Sequence, residues 1–220
     1  MSPMAGQMSF DLPIASAMTR EDFILDGANQ KAFDMIVSWP DWPSDVIVLA
    51  GPVGSGKSHL AAIHSQQSGA TLLNNNDLPK PEDLPVLGST PVIVEDAYAV
   101  KLDETRMFHL LNHVRERAST LLITSRSWPD SWPLTLPDLR SRLRAAYPLE
   151  LNEPGDQLLR QVMVKLFADR QLTIEPRVLE YILVRMERSL SAAGRLVSDL
   201  DRLSLEQGRP ITRQLAADVL

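Results

Sequence analysis

The sequence predicts an α/β fold of the phosphate-loop class. In this fold a five-stranded parallel sheet is flanked by helices and followed by a small, all-helical C-terminal domain. Two observations lead to this prediction. A glycine-rich phosphate-binding motif near residue 51 lies between an apolar segment and a helical one. Short apolar runs then alternate with helical stretches up to about residue 152, which is typical of parallel strands covered on both faces, and only helical patterns follow.

The phosphate loop places the first strand and the helix after it. Residues 45–50 are an apolar strand, and residues 58–63 begin a helix. Glycines let backbone N–H groups turn toward a phosphate, and the helix N-terminus adds a positive dipole end. We therefore expect ADP or ATP with Mg²⁺, with Lys57 on the β- and γ-phosphates and Ser58 on the metal. The motif G-x-x-x-x-G-K-[ST] is formed by Gly51, Pro52, Val53, Gly54, Ser55, Gly56, Lys57 and Ser58.

Further apolar runs and helical patterns complete a predicted nucleotide-binding core over residues 21–152. A first helix is expected over residues 28–38, where Trp39-Pro40 ends it, and a second over residues 103–118, where apolar residues recur at helical spacing. Residues 77–90 are proline-rich and predicted to be a loop. The four remaining strands are predicted at residues 70–73, 91–96, 120–124 and 147–151.

The end of the chain is helical in pattern, and we place a small helical domain at residues 153–220. Two apolar stripes at helical spacing provide its core. Pro154 and Pro176 suit the first turns of helices. Thr212 is a candidate N-cap for a last helix over residues 213–220.

Polar residues end two of the predicted strands. Glu95 and Asp96 follow an apolar strand, a position where nucleotide hydrolases place one carboxylate near Mg²⁺ and another near the attacking water. We expect both acids, with Ser58, to serve Mg²⁺ and catalysis, although Glu95 stands where Asp is usual and would alter the metal geometry. Thr124 either contacts the γ-phosphate or orients water. Alternatively, its hydroxyl satisfies the backbone at the strand end.

A basic segment follows the fourth strand. Residues 136–144 carry Arg140, Arg142 and Arg144 at every second position, which spreads them over different faces of a helix. Such a helix is usually a solvated face. Its place close after the fourth strand also lets an arginine reach a neighbouring subunit's nucleotide.

Composition limits the classes of function. The chain has 220 residues, 44% of them hydrophobic, a net charge of -6 and no cysteine. Disulfides and zinc-thiolate sites are thereby excluded, and the acidic balance argues against a protein that coats nucleic acid. We see no signal peptide and no apolar run long enough to span a membrane, so we expect a cytoplasmic protein. Residues 1–20 are polar and aperiodic and are predicted to be a flexible arm.

Several of these motifs together resemble the AAA+ domain of the bacterial replication initiator DnaA. The likeness covers about residues 20–220. It includes the Lys-Ser-His-Leu sequence that ends the phosphate loop and the Ser-Arg-Leu of the arginine segment. The matching stretches are Asp22-Phe23-Ile24, residues 54–60, Glu95-Asp96, residues 122–126 and residues 139–143.

The resemblance implies roles for individual residues. Arg142 matches the family's arginine finger, which acts in trans, and Phe23 and Ile24 match the segment that flanks the adenine. His59 belongs to the nucleotide-binding set. The family's helical lid carries a nucleotide-contacting arginine, but Gly194 stands at that position here. Either Arg195 beside it substitutes or the contact is lost, so we expect nucleotide binding with weak or no ATPase activity.

The resemblance is to short regulatory members of the family, which end before the DNA-binding helices. It implies an adaptor that binds the polymerase III sliding clamp (the beta subunit), stimulates ATP hydrolysis by DnaA, and meets DNA only through the clamp. Gln7, Met8, Phe10 and Leu12 are similar to the clamp-binding peptide of these adaptors. Such a peptide binds as an extended segment, with the glutamine in a polar notch and the apolar residues in a groove. Alternatively, Phe10 and Leu12 strap the arm to the core.

Two other functions stay open. A self-contained AAA+ ATPase, such as a helicase loader acting on DNA, would need a basic DNA-facing surface, against which the acidic balance counts. A pure binding module would keep only a vestigial nucleotide site. The oligomeric state is also open, with a homodimer as one possibility.

Overall fold

One parallel sheet organises the first two thirds of the chain. The structure is a computed structural model that describes residues 18–97 and 102–220. The strand order is β2-β3-β4-β1-β5, and every neighbouring pair is parallel. The predicted five-stranded parallel sheet is therefore confirmed. Its strands are β1 (Val46–Ala50), β2 (Thr71–Asn74), β3 (Val92–Glu95), β4 (Leu121–Ser125) and β5 (Tyr147–Glu150).

Helices flank this sheet and then form the rest of the chain. Four of them, α1 to α4, connect or precede the strands, and α5 to α8 follow the last strand; we refer to α5–α8 as the C-terminal helices. Within the described ranges, no helix is both long and apolar enough to cross a bilayer. The helices are α1 (Gln30–Val37), α2 (Lys57–Ser68), α3 (Glu104–Glu116), α4 (Pro137–Ala145), α5 (Asp156–Asp169), α6 (Pro176–Leu183), α7 (Leu190–Gln207) and α8 (Arg213–Val219).

The core lies in layers on both faces of the sheet. Side chains alternate along β1, so Val46 and Val48 pack with residues of α3 and α4, whereas Ile47 and Leu49 pack with residues of α1 and α2. All five residues of β1 are buried, as expected of a parallel strand covered on both faces. The C-terminal helices share a separate cluster centred on Met163, Phe167 and Leu200.

Most predicted helix ends agree with the structure within two residues, and one is wrong. Pro176 is the first residue of α6, as predicted. Thr212 caps α8, because its side-chain oxygen accepts a hydrogen bond from Leu215 N at 3.3 Å. Pro154 precedes α5 instead of lying in its first turn. The extended backbone of Gly155 forms the N-cap, and helical geometry begins at Asp156, whose carboxylate suits the helix N-terminus.

Candidate functional site

A cavity of about 570 Å³ opens at the carboxyl ends of β1, β3 and β4, between the sheet and the C-terminal helices. Ligands of open α/β sheets bind at this edge. Its walls come from residues 18–29, the phosphate loop, the ends of β2, β3 and β4, α5 and the start of α7. Of the residues singled out from sequence, it brings together Phe23, Ile24, Val53, Gly54, Gly56, Lys57, Ser58, His59, Glu95, Asp96 and Thr124.

The remaining loop residues support the cavity from behind. Gly51 and Pro52 line a smaller pocket on the other side of the loop. A Cβ at position 51 would lie 2.5 Å from the carbonyl oxygen of Leu151, so only glycine fits beside the end of β5. Ser55 is buried, and its hydroxyl has no hydrogen-bond partner among the described residues.

The tip of the phosphate loop rests on the N-terminus of α7. Gly54 has a φ of 72°, and a Cβ there would lie 2.6 Å from Ser191 Oγ and 2.7 Å from Ser189 Cβ. Leu190 N donates a hydrogen bond to Gly54 O at 2.8 Å. A side chain at position 54 is therefore excluded by both the backbone conformation and the close contact. This contact joins the loop directly to the C-terminal helices.

Lys57 supplies positive charge at the base of the cavity. It is buried, and its ammonium donates hydrogen bonds to the carbonyl oxygens of Gly51 and Pro52, both at 2.7 Å. Burial lowers the pKa of Lys57, with Arg126 adding to the effect and the nearby Asp96 carboxylate opposing it. The neutral carbonyl oxygens of the loop compensate the charge of this ammonium only in part. The oxygens of a polyphosphate would be its anionic partner.

The acidic side of the cavity is built around Asp96. Its backbone has a φ of 51°, in the left-handed region that Asp tolerates better than most residues, and its N–H donates to Thr124 Oγ1 at 2.9 Å. Its carboxylate accepts two hydrogen bonds from Arg126, at 3.1 Å from Nε and 2.8 Å from Nη2. Thr124 thus bonds the backbone, as in one of the two alternatives left open above. Arg126 was missed from sequence, although it directly follows the polar end of β4.

The acids and hydroxyls suit a hard cation in their chemistry. Oε1 of Glu95 is buried without a hydrogen-bond partner among the described residues, and Ser58 is exposed to the cavity. Mg²⁺ is typically held by one or two carboxylates and by substrate phosphates instead of a full protein cage. The described residues contain no group of three or more His, Asp or Glu side chains placed to hold a metal.

The other end of the cavity is apolar with an ionic rim. The Phe23 ring stacks on Phe33 at 5.4 Å and meets the edge of His59 at 5.1 Å. Lys165 of α5 bonds the Asp22 carboxylate at 2.8 Å, and this contact lowers the pKa of Asp22. The pair joins the segment before α1 to α5 and was also missed from sequence, because the two residues are far apart in the chain.

The structure does not bring Arg195 to the cavity, and Arg142, which is predicted to act in trans, lies outside the cavity lining of its own chain. Gly194 lines it, but the exposed Arg195 guanidinium lies 3.6 Å from the Glu187 carboxylate and is absent from the cavity lining. Arg142 is half-buried on α4, with its guanidinium carbon 5.0 Å from the centre of the Phe108 ring, and it is also absent from the lining. The predicted clamp-binding residues, Gln7, Met8, Phe10 and Leu12, lie outside the described residues.

Comparison with solved structures identifies the fold. Domain III of Thermotoga maritima DnaA matches with a TM-score of 0.80 at 17% identity, covering 94% of this chain and 97% of that one. DnaA bound to AMPPCP and single-stranded DNA matches with a TM-score of 0.70 at 16% identity, over 88% of this chain and 66% of that one. The Thermotoga maritima RuvB Holliday junction branch migration motor matches with a TM-score of 0.72 at 18% identity, over 92% and 70%. No protein-family model matches the sequence. The chain therefore has the AAA+ fold of DnaA and RuvB.

Proposed function

We propose that this chain is a nucleotide-binding AAA+ adaptor that attaches to the sliding clamp and stimulates ATP hydrolysis by DnaA, as does Hda, the regulatory inactivator of DnaA. It would thereby lower replication initiation in the cytoplasm. In this proposal residues 1–20 are the clamp-binding arm, residues 21–152 bind ADP or ATP, and residues 153–220 form the lid.

The observation that carries the proposal is the pairing of Asp96 with Arg126 inside the cavity. Hydrolysis needs a carboxylate that can orient or deprotonate water, but here both oxygens of Asp96 accept hydrogen bonds from one guanidinium. A site arranged in this way favours holding a nucleotide over turning it over.

The cavity residues have distinct proposed roles. The phosphate loop and Lys57 would bind the phosphates, and Phe23, Ile24 and His59 would enclose the base. Ser58 and Glu95 would hold Mg²⁺, which neutralises phosphate charge when bound, and Asp96 would join them only where its pairing with Arg126 opens. Because the loop tip contacts α7, the bound phosphates would also fix the C-terminal helices relative to the sheet.

Lys57→Ala is expected to weaken ADP and ATP binding at least tenfold. Charge-assisted hydrogen bonds contribute about 1.5–3 kcal/mol each, and the variant removes the buried ammonium that would make them. Isothermal calorimetry measures the affinity, and Lys31→Ala, an exposed lysine on α1, is the matched control. Equal affinity in Lys57→Ala and wild type would place the nucleotide elsewhere.

Arg126→Gln is expected to raise the chain's own ATP hydrolysis roughly tenfold or more, since a freed and positioned base contributes about 10²–10⁴ to rate. Single-turnover hydrolysis measures this gain. The double variant Arg126→Gln/Asp96→Asn should return to the wild-type rate, because the amide cannot act as the base. A loss of ATP affinity with no gain in rate would instead make Arg126 a phosphate ligand.

The arm is tested separately. Replacing Gln7 and Phe10 by alanine should strongly reduce clamp binding without lowering the melting temperature, because a buried apolar side chain contributes about 1.5–3 kcal/mol in a partner's groove. Surface plasmon resonance on immobilised clamp and thermal unfolding are the two measurements. If the arm is a strap on the core, the variant will instead melt earlier and keep its clamp affinity.

The function as a whole is tested by DnaA-ATP hydrolysis with this protein, with and without DNA-loaded clamp. The adaptor requires clamp-dependent stimulation. The alternative, a self-contained ATPase acting directly on DNA, draws on the likeness to DNA-bound DnaA and to a branch migration motor. That alternative requires the chain's own ATPase to rise with DNA in the absence of both DnaA and clamp.

A further inference from the structure

Arginines surround one tyrosine at the junction of α6 and α8. The guanidinium carbons of Arg185 and Arg213 lie 3.9 Å and 4.4 Å from the centre of the Tyr181 ring. Arg177 lies one turn before Tyr181 on α6 and therefore shares its face of the helix. All three arginines are exposed. We call Arg177, Tyr181, Arg185 and Arg213 the arginine patch.

The charges of the arginine patch are not balanced within the fold. In the described part of the chain, none of its three arginines forms an ion pair. Elsewhere on or next to the C-terminal helices, Arg160 pairs with Glu180, Arg188 with Asp156 and Arg202 with Glu206. The whole chain carries a net charge of -6, so this local excess of positive charge runs against its overall composition.

Folding stability does not account for the patch. Arg213 is the first residue of α8, where the helix dipole disfavours a cation. Exposed cation–π contacts contribute only about 0.5–1 kcal/mol each. These arginines therefore contribute little to the stability of the fold, which points to an anion outside the chain as their partner.

The geometry suits phosphate groups. An arginine stacked on an aromatic ring uses the face of its guanidinium and keeps the N–H edge available, and a phosphate accepts two parallel hydrogen bonds from that edge. Of the two arginines that lie over the Tyr181 ring, Arg185 also donates from Nη1 to the carbonyl oxygen of Tyr181 at 3.2 Å. Stacking orders the side chains beforehand, which reduces the entropy lost on binding.

We propose that the arginine patch binds the phosphate backbone of duplex DNA without reading its sequence. Protein partners usually bury an open aromatic anchor, whereas the Tyr181 ring is already in contact with two guanidiniums, which favours phosphate contacts. The choice of duplex rests on the proposed function, since an adaptor on a DNA-loaded clamp has duplex within reach. The patch adds a direct contact with DNA to the contact through the clamp that the sequence predicts. The patch would then orient the C-terminal helices against that DNA.

A fluorescein-labelled duplex oligonucleotide at low salt tests the proposal by anisotropy. Arg185→Ala/Arg213→Ala should bind at least tenfold more weakly than wild type and show a shallower salt dependence, by about 0.9 in slope for each lost phosphate contact. The matched control, Arg160→Ala/Arg202→Ala, removes two exposed arginines with carboxylate partners and should bind as wild type does. Arg177→Ala, which leaves the Tyr181 contacts intact, should weaken binding less and also flatten the slope.

Several outcomes would overturn the proposal. They are no duplex binding by wild type, an equal loss in the control, or wild-type affinity in both Arg177→Ala and the double variant. Displacement of the duplex by polyglutamate at equal charge concentration would instead assign the patch to an acidic protein. Clamp binding without DNA and its dependence on the arm are measured in parallel and should be unchanged in the patch variants. If wild type fails to stimulate DnaA but binds duplex through the patch, the proposed function fails and the patch stands.

Discussion

In the proposed adaptor, Arg142→Ala is expected to lower the clamp-dependent stimulation of DnaA-ATP hydrolysis by about 10³–10⁵, the range by which a guanidinium supplied in trans accelerates nucleotide hydrolysis. The same variant should bind ADP, ATP and clamp with wild-type affinity. The measurement is DnaA-ATP turnover with DNA-loaded clamp, at saturating concentrations of this protein.

The structure explains why the two effects should separate. Arg142 is absent from the lining of the cavity in its own chain, so removing it leaves the phosphate loop and its surroundings intact. Its guanidinium lies over the Phe108 ring of α3, and the side chain is only half-buried, so it is accessible to another molecule. A γ-phosphate brought to this guanidinium would therefore belong to another molecule.

The neighbouring arginines provide the control. Arg144 pairs with Asp130, and Arg140 donates to the carbonyl oxygen of Leu134, so both have partners inside the chain. Arg144→Ala changes the charge of the same helix by the same amount and should stimulate normally. Normal stimulation by Arg142→Ala would transfer the role to Arg140 or Arg144.

Those parts of the molecule set by local sequence could be predicted. The phosphate loop needs glycine where φ is positive, as at Gly54 and Gly56, and its flanking strand and helix are contiguous with it. Likewise, the cap at Thr212 depends on a hydrogen bond from Leu215, which is only three positions later in the sequence. Apolar runs sufficed for the sheet because each parallel strand is buried on both faces.

Contacts between distant residues could not be predicted in the same way. Arg126 reaches Asp96 across two strand ends, and Lys165 reaches Asp22 from a helix more than a hundred residues later. The periodicity of the sequence does not determine which carboxylate pairs with a given arginine or lysine side chain. For the same reason Arg195, predicted beside the nucleotide, is found with Glu187 outside the cavity.

His64 is another residue whose environment only the fold reveals. It lies on α2, the helix that begins at the phosphate loop, and it is fully buried. Its ring stacks on Trp42 at 4.5 Å and meets Trp39 at 6.0 Å. Neither ring nitrogen has a hydrogen-bond partner among the described residues. Burial therefore lowers the pKa of His64 from 6.5 to about 4.

Folding should consequently become less favourable as the pH falls from about 6.5 to about 4, because the unfolded chain takes up a proton at His64 that the folded chain refuses. The loss is roughly 3 kcal/mol in the free energy of unfolding, with no further contribution from His64 below that range.

Urea unfolding at about pH 7.5 and about pH 4.5 measures this loss. The His64→Leu variant has no imidazole to titrate at this position. Its free energy of unfolding should therefore fall by roughly 2–3 kcal/mol less than that of wild type between about pH 7.5 and about pH 4.5. His109→Leu, which removes an imidazole from the partly exposed surface of α3, is the matched control. If wild type and His64→Leu lose the same free energy of unfolding between the two pH values, the folded chain must accept the proton at His64. The two proteins differ in their pH dependence only if the buried imidazole stays neutral.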